Sequence, residues 1–238
     1  MRRAIRAVGT LMIVAGVLTL AWAMLVWRWQ DPFTALYTHW QQQKLASAYD
    51  KRFAAYHPHV RSRDLAAVQR GIALEARAYR RSLQAGDPVG RLKIGRIGLN
   101  MIVVQGTDHE TLKRGPGHYL TTGLPGEHRL IYVAGHRTTY LAPFSAINDI
   151  RAGDYITFEL PYGTFKYRVM RHYVVADDDT AVLVNRGREV LRLQACHPRF
   201  FASHRYIVDA RLEAMILRGG PTFALSTRLA AATTTAGS

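Results

Sequence analysis

Hydrophobic positions change their spacing three times along the chain. From Val8 to Trp27 there is no charged residue and no proline, a run of 20 residues. As a helix it would span about 30 Å, the thickness of a bilayer's hydrocarbon core. Arg2, Arg3 and Arg6 precede the run, and Trp22, Trp27 and Trp29 lie toward its far end, where aromatic rings favour the interface. This pattern predicts a single-pass anchor with the N-terminus cytoplasmic and the bulk of the chain outside. A cleaved signal peptide is the alternative, since Ala21-Trp22-Ala23 has the small-x-small form. The apolar run continues past that point, which favours the anchor.

Asp31-Pro32 ends the first pattern. The stretch 33–56 is polar, with Tyr37, Trp40, Leu45 and Tyr49 at helical intervals, until His57-Pro58-His59 breaks it. Leu65, Val68, Ile72, Ala76, Tyr79 and Leu83 then recur at steps of three and four, the stripe of an amphipathic helix. Gly86-Asp87-Pro88 stops it. Beyond Pro88 the texture becomes short runs of Val, Ile, Tyr and Phe between Gly and Pro turns. Strands are expected over 91–97, 101–105, 130–134, 155–160, 164–173, 189–195 and 206–212, with a hairpin turn at Pro161-Tyr162-Gly163. Single helical turns are expected near 111–114 and 144–150. So many short strands predict an antiparallel barrel or sandwich. The last stretch, 219–238, is rich in Gly, Ala and Thr and reads as a flexible tail.

Charge and cysteine content narrow the function. The 238 residues carry a formal net charge of +15, which favours phospholipid headgroups, wall polymers or nucleic acid as neighbours. No RNA-binding aromatic signature or zinc-finger spacing is present, so nucleic acid is set aside as a partner. Cys196 is the one cysteine, which excludes an intrachain disulfide and a thiolate metal cluster. Such a residue is either a small buried hydrophobe or a reactive thiol.

Three segments favour the thiol. In Ala134-Gly135-His136-Arg137-Thr138-Thr139-Tyr140, a histidine follows a predicted strand directly and sits on a loop. In Leu193-Gln194-Ala195-Cys196-His197-Pro198, the cysteine ends a strand. In Ser203-His204-Arg205-Tyr206-Ile207-Val208, Arg205 begins the next one. Neighbouring antiparallel strands would bring Cys196 and Arg205 side by side. A thiolate needs a proton acceptor or a cation nearby. His136 suits that role. His197 is adjacent in the strand and points to the opposite face. His204 and His118 lack the strand-end setting of His136. Arg205 is a permanent cation, able to hold an oxyanion or a peptide.

GHRTTYLAPF (135–144), LQACHPRF (193–200) and HRYIV (204–208), with GPGHY (115–119) and LPGE (124–127), resemble the sortases, most of all their class E group. The resemblance covers residues 88–212 and implies an eight-stranded β-barrel with short helices. With the patterns above, the chain divides into a basic tail and transmembrane anchor (1–30), a helical stalk (31–87), a catalytic barrel (88–218) and the tail (219–238). The resemblance implies a cysteine transpeptidase without a cofactor. Cys196 would attack the Thr–Gly bond of an LPXTG- or LAXTG-like C-terminal sorting signal. His136 would protonate the leaving amine, and Arg205 would hold the oxyanion or the signal. The implied partners are surface proteins bearing that signal, a peptidoglycan precursor or other amine, and the membrane. Class E relatives usually carry Thr-Leu-X-Thr before the cysteine, whereas this chain has Arg192-Leu193-Gln194-Ala195. Ala195 offers no hydroxyl there. Asp177-Asp178-Asp179 would serve as an exposed acidic turn or as a calcium loop. The same residues would also serve a thiol hydrolase, and a wall-binding domain without catalysis is the other alternative.

Overall fold

The computed structural model describes residues 2–28, 32–60 and 62–225. Three helices come first: α1 (Arg2–Arg28), α2 (Pro32–Ala55) and α3 (Leu65–Ser82). Trp29 and the junction through Asp31 lie outside the described residues. The strands are β1 (Pro88–Ile94), β2 (Leu99–Gln105), β3 (Gly117–His118), β4 (Leu130–Ala134), β5 (Tyr155–Leu160), β6 (Gly163–Ala176), β7 (Val190–His197), β8 (His204–Leu217) and β9 (Thr222–Ala224). A one-turn helix, α4 (His109–Leu112), follows β2, and 3-10 turns lie at Gly95–Ile97, Ile147–Asp149 and Thr180–Leu183.

The sheet runs β6-β5-β1-β2-β3-β4-β7-β8, and β8 pairs back onto β6. Eight strands thus close a barrel, which leaves no free edge between them. β9 extends the sheet outside β8, so the expected tail begins with a strand. Residues 226–238 lie outside the described residues. Two pairings in the ring are parallel, β2 with β3 and β4 with β7. The barrel is therefore mostly, not wholly, antiparallel.

Alternation fills the interior. Along β5, Ile156, Phe158 and Leu160 point inward and their neighbours do not. Phe144, Tyr162, Phe165 and Tyr167 join them as the largest fully buried side chains. Each such side chain contributes about 1.5–3 kcal/mol on burial.

The predicted stripe of α3 closes one end of this barrel. Asp64 caps the helix by accepting from Ala67 N at 2.7 Å. Val68, Ile72, Ala76 and Tyr79 are buried. Tyr79 OH donates to Val89 O, and Arg80 forks onto Glu127 at 2.7 and 3.2 Å.

The other segment of the expected stalk, α2, also packs on the barrel. Its inward face is largely polar. Thr38 donates to Lys113 O at 2.8 Å, while Gln42 donates to Ile102 O and Arg114 O and accepts from Ile102 N. A side chain at Gly115, whose φ is +155°, would collide with the Gln42 amide. Leu45 and Tyr49 complete the contact against Ile102 and Val104, and Tyr49 OH reaches Glu159 O at 2.9 Å.

Candidate active site

Register does most of the work in assembling the candidate residues. In the antiparallel β7–β8 ladder, Cys196 stands directly opposite Arg205, and His197 opposite His204. Directly opposed residues share a face, with Cβ atoms about 4.5–5.5 Å apart. Cys196 and Arg205 thus share one face, and His197 and His204 share the other. The Cys196 thiol is partly exposed. Its predecessor Ala195 points into the core and is fully buried opposite Tyr206.

The parallel β4–β7 ladder brings in the histidine. Ala134 pairs with Gln194, and Gly135 N continues the ladder by donating to Gln194 O at 3.0 Å. The next residue on one strand side is His136, and two residues beyond Gln194 is Cys196. Gly135 is required here by packing, because a Cβ would lie 2.6 Å from the Phe144 ring. Phe144 N in turn donates to His136 O at 3.1 Å and folds the loop back on itself.

Arg137 ties the two segments together. Its Nη1 donates to Cys196 O at 3.2 Å and to His197 Nδ1 at 2.8 Å, and its Nη2 donates to Asn148 Oδ1 at 2.8 Å. The side chain lies over the Tyr206 ring, and the residue is only 7% exposed. Sequence reasoning passed over Arg137. Its position next to a candidate histidine was visible, but its inward turn was not.

The His136 ring sits 5.2 Å from the Tyr140 ring and 6.4 Å edge-on from His109. Its Nε2 is buried and has no hydrogen-bond partner within the described residues. Burial is the main cause that pushes its pKa below the ordinary imidazole value, and the cationic forms of His109 and Lys113 add to it. The imidazole is therefore neutral at pH 7, with an uncommitted nitrogen.

Arg205 is held by its own loop. Nη1 donates to Ala202 O at 2.6 Å and to His204 O at 3.0 Å, and Nη2 lies 3.9 Å from Asp177 Oδ2. Asp177 thus faces Arg205, and Asp179 caps the following turn by accepting from Ala181 N at 2.9 Å. Among the described residues no group of three or more His, Cys, Asp and Glu side chains has the spacing to hold a metal ion. His118 lies elsewhere, fully buried between Gln105 and Gly123 O, and burial lowers its pKa to about 4.

Away from Cys196, the same face carries an apolar floor. Tyr132, Ala134, Val182 and Ile207 form it, with Tyr119 and Val175 packed against them. Tyr132 OH donates to Gln194 Oε1 at 2.7 Å. Strands β4 and β8 contribute, with Val175 from β6 beside them, and the Tyr132–Gln194 bond ties the floor to β7, the strand that carries the thiol.

Known proteins resemble this chain in sequence and fold. Sortase D of Bacillus subtilis (strain 168) is 33% identical over 129 residues, which cover 52% of this chain and 64% of that relative. The chain thus matches slightly less than two thirds of the relative's length. The solved sortase E of Streptomyces avermitilis superposes with a TM-score of 0.51 at 31% identity, over 57% of this chain and 93% of that one. Sortase E1 of Streptomyces coelicolor, solved with a tripeptide in its active site, gives 0.53 at 26% identity, over 58% and 95%. The sortase D5 transpeptidase of Clostridium perfringens gives 0.59 over 72% and 98%, and at 24% identity it supports the fold alone. The family model described as the sortase domain matches residues 92–213, so this chain belongs to the sortase family.

Proposed function

We propose that the chain is a cysteine transpeptidase in which Cys196 is the nucleophile, His136 moves the proton and Arg205 stabilises charge. One observation carries this reading: the two ladders set Cys196 opposite Arg205 and beside a loop whose imidazole has a buried, unpartnered nitrogen. A buried polar atom without a partner is costly, and a reacting group is a reason to keep one.

In the proposed reaction the Cys196 thiol gives its proton to the neutral His136 imidazole as the sulfur attacks the threonine carbonyl of an LPXTG- or LAXTG-like sorting signal. The Thr–Gly bond breaks and the glycine amine leaves with a proton from His136. A thioester now joins Cys196 to the acyl group. An incoming amine attacks this thioester and gives its proton to His136, the C–S bond breaks as the amide forms, and His136 returns the proton to the departing sulfur, which regenerates the thiol. The Arg205 guanidinium, aimed by the carbonyls of Ala202 and His204, lies on the thiol's face, where the oxyanion develops. With Ala195 turned into the core, the residue before the cysteine supplies no side-chain hydroxyl, and backbone donors take that part. The apolar floor around Tyr132 and Ile207 suits the leucine end of the signal. The acyl donors are surface proteins, and the acceptor is a peptidoglycan precursor or similar amine.

We further read α1 as a single-pass anchor. The stretch Arg2–Met24 is long enough and, past its basic start, apolar enough to cross a bilayer, and its apolar part is not buried against the barrel. The basic N-terminus stays inside, and the barrel works outside. The test is incubation of the full chain with sorting-signal peptides and a glycine or diaminopimelate-type amine. A thioester mass on Cys196 and an amide product are expected. Acid as the sole product would replace transfer by hydrolysis, and an unmodified Cys196 would end the catalytic reading.

A further inference from the structure

The path of α2 fixes which end of the barrel faces the bilayer. Near its start, Tyr140 N donates to Thr34 Oγ1 at 3.3 Å, within the loop that carries His136. Near its end, Arg52 reaches Asp87 at 3.1 Å, and Arg218 donates to Phe53 O, at the end closed by α3. The helix therefore runs the height of the barrel, about 36 Å for its 24 residues. α1 ends at Arg28, six residues before Thr34. An extended chain of that length reaches no more than about 21 Å. The apolar helix thus leaves off close to the catalytic end, not the far end.

Exposed apolar side chains gather at that same end. On α2, Leu36, Tyr37 and Trp40 face outward in the first turns, with Leu36 71% exposed. Farther along, the outward positions hold no large apolar side chain: Gln43, Lys44, Ser47, Asp50 and Lys51, with Ala48, Ala54 and Ala55. Beside the site, the β7–β8 loop presents Phe200 at 61% and Phe201 at 81% exposure. Phe201 is more exposed than Leu20 at 72%, the most exposed large hydrophobic side chain described on the apolar helix α1. Arg199, just before them, donates to Ser145 O and binds this loop to the His136 loop. Soluble surfaces seldom leave adjacent phenyl rings in water, whereas interfacial segments place them among headgroups.

We propose that the Phe200–Phe201 loop and the first turns of α2 rest on the phospholipid bilayer that holds α1, so that Cys196 works at the membrane surface. This rests on the anchor reading above. The surface is continuous with that anchor, and its aromatic residues and flanking Arg199 have the chemistry of an interfacial segment. It follows that losing the loop's contact should tell on a peptide presented at the bilayer and not on one in bulk solvent.

The test uses the full chain in phosphatidylglycerol–phosphatidylcholine vesicles, with or without phosphatidylcholine brominated along its acyl chain. Phe201→Trp adds a fluorophore at the loop, and Leu74→Trp adds one on the exposed face of α3. After subtraction of the parent's tryptophans, the emission added at 201 should fall by about half or more in brominated vesicles, and that added at 74 should not. Equal insensitivity of the two would overturn the proposal. In a second arm, Phe200→Ser/Phe201→Ser should slow turnover of a sorting signal carried on its own membrane helix by about tenfold. A soluble signal peptide should be processed at the parent's rate. An equal fall for both substrates would mean that the loop acts on the site itself and would also overturn it. Release of the chain from vesicles by alkaline carbonate is the separate result that removes the anchor and this inference together.

Discussion

At the far end of the barrel, Tyr56, Tyr79 and Tyr162 pack ring against ring, and their hydroxyls reach Glu75, Val89 O and Pro125 O. At the catalytic end the packing is less complete. Tyr140, Leu141, Ala142, Phe200 and Ala202 all adopt positive φ, and elsewhere among the described non-glycine residues only His128 does so. Positive φ in such residues costs of order 1 kcal/mol or more each. Of the four buried side-chain atoms without a partner among the described residues, His136 Nε2 and Arg137 Nε belong to adjacent residues at this end. The far end does keep one, Glu75 Oε2. The comparison teaches where this fold tolerates strain and unmet hydrogen bonds: in the two loops that meet at Cys196. Substitutions at the two ends should therefore separate activity from stability.

The largest effect is expected at the sulfur. Cys196→Ala should lower turnover of a sorting-signal peptide by about 10³-fold or more, because the covalent route disappears. The side chain is small and partly exposed, so the melting temperature should stay near the parent's. Residual turnover near the parent rate would show that the catalytic end is built for something other than thiol chemistry.

Arg137 comes next. Arg137→Ala removes the donor from Cys196 O, His197 Nδ1 and Asn148 Oδ1 at once. The His136 loop then loses its tie to the cysteine strand. Misplacement of about 1 Å is enough to cost about 10²-fold, so kcat should fall by that order while KM changes little. Arg137→Lys should recover part of kcat, since it restores a donor but not the fork. A variant that loses melting temperature but keeps kcat would make this end ordinary packing and erase the contrast.

Much of the fold was legible from spacing alone. The α3 stripe, the strand runs after Pro88 and the two helical turns are all visible as periodicity. Cys196 and Arg205 could be placed on neighbouring strands because only a short loop separates them. The β4–β7 contact was harder to see, since a parallel pairing across some fifty intervening residues leaves no local trace. β3, with two residues, is too short for any period. The docking of α2 was hidden because Thr38 and Gln42 do it by bonding backbone groups, and polar inward residues look like solvent-facing ones. Arg137 was hidden for the same reason: a buried arginine and a surface arginine read alike until the carbonyl and imidazole it serves are in place.

A smaller effect is expected in the pH profile. His136 is held below the ordinary imidazole value by burial first and then by His109 and Lys113. If its neutral form accepts the thiol proton, kcat/KM should rise with pH as His136 loses its proton, on the acid side of neutrality. His109→Gln removes a neighbouring cation. That favours the protonated form, raises the His136 pKa and moves the acid limb to higher pH. The plateau rate should not change. A limb that stays in place would show that His109 is uncharged over this range or that another group sets the limb.

The smallest effect on activity belongs to the far end. Ile72 is fully buried on α3, with a methyl so close to Gly126 that a Cβ there would lie 2.2 Å from it. Ile72→Ala opens a cavity between α3 and the turn before β4, which should cost about 2–5 kcal/mol and lower the melting temperature markedly. The strands run from this turn to the catalytic end, but among the described residues no hydrogen bond of the His136 or Cys196 loops reaches α3. Below the melting transition, kcat and the thiol reactivity of Cys196 should equal the parent's. If kcat fell along with stability, the two ends would form one mechanical unit, with the closed end supporting the strained one through the length of β4 and β7.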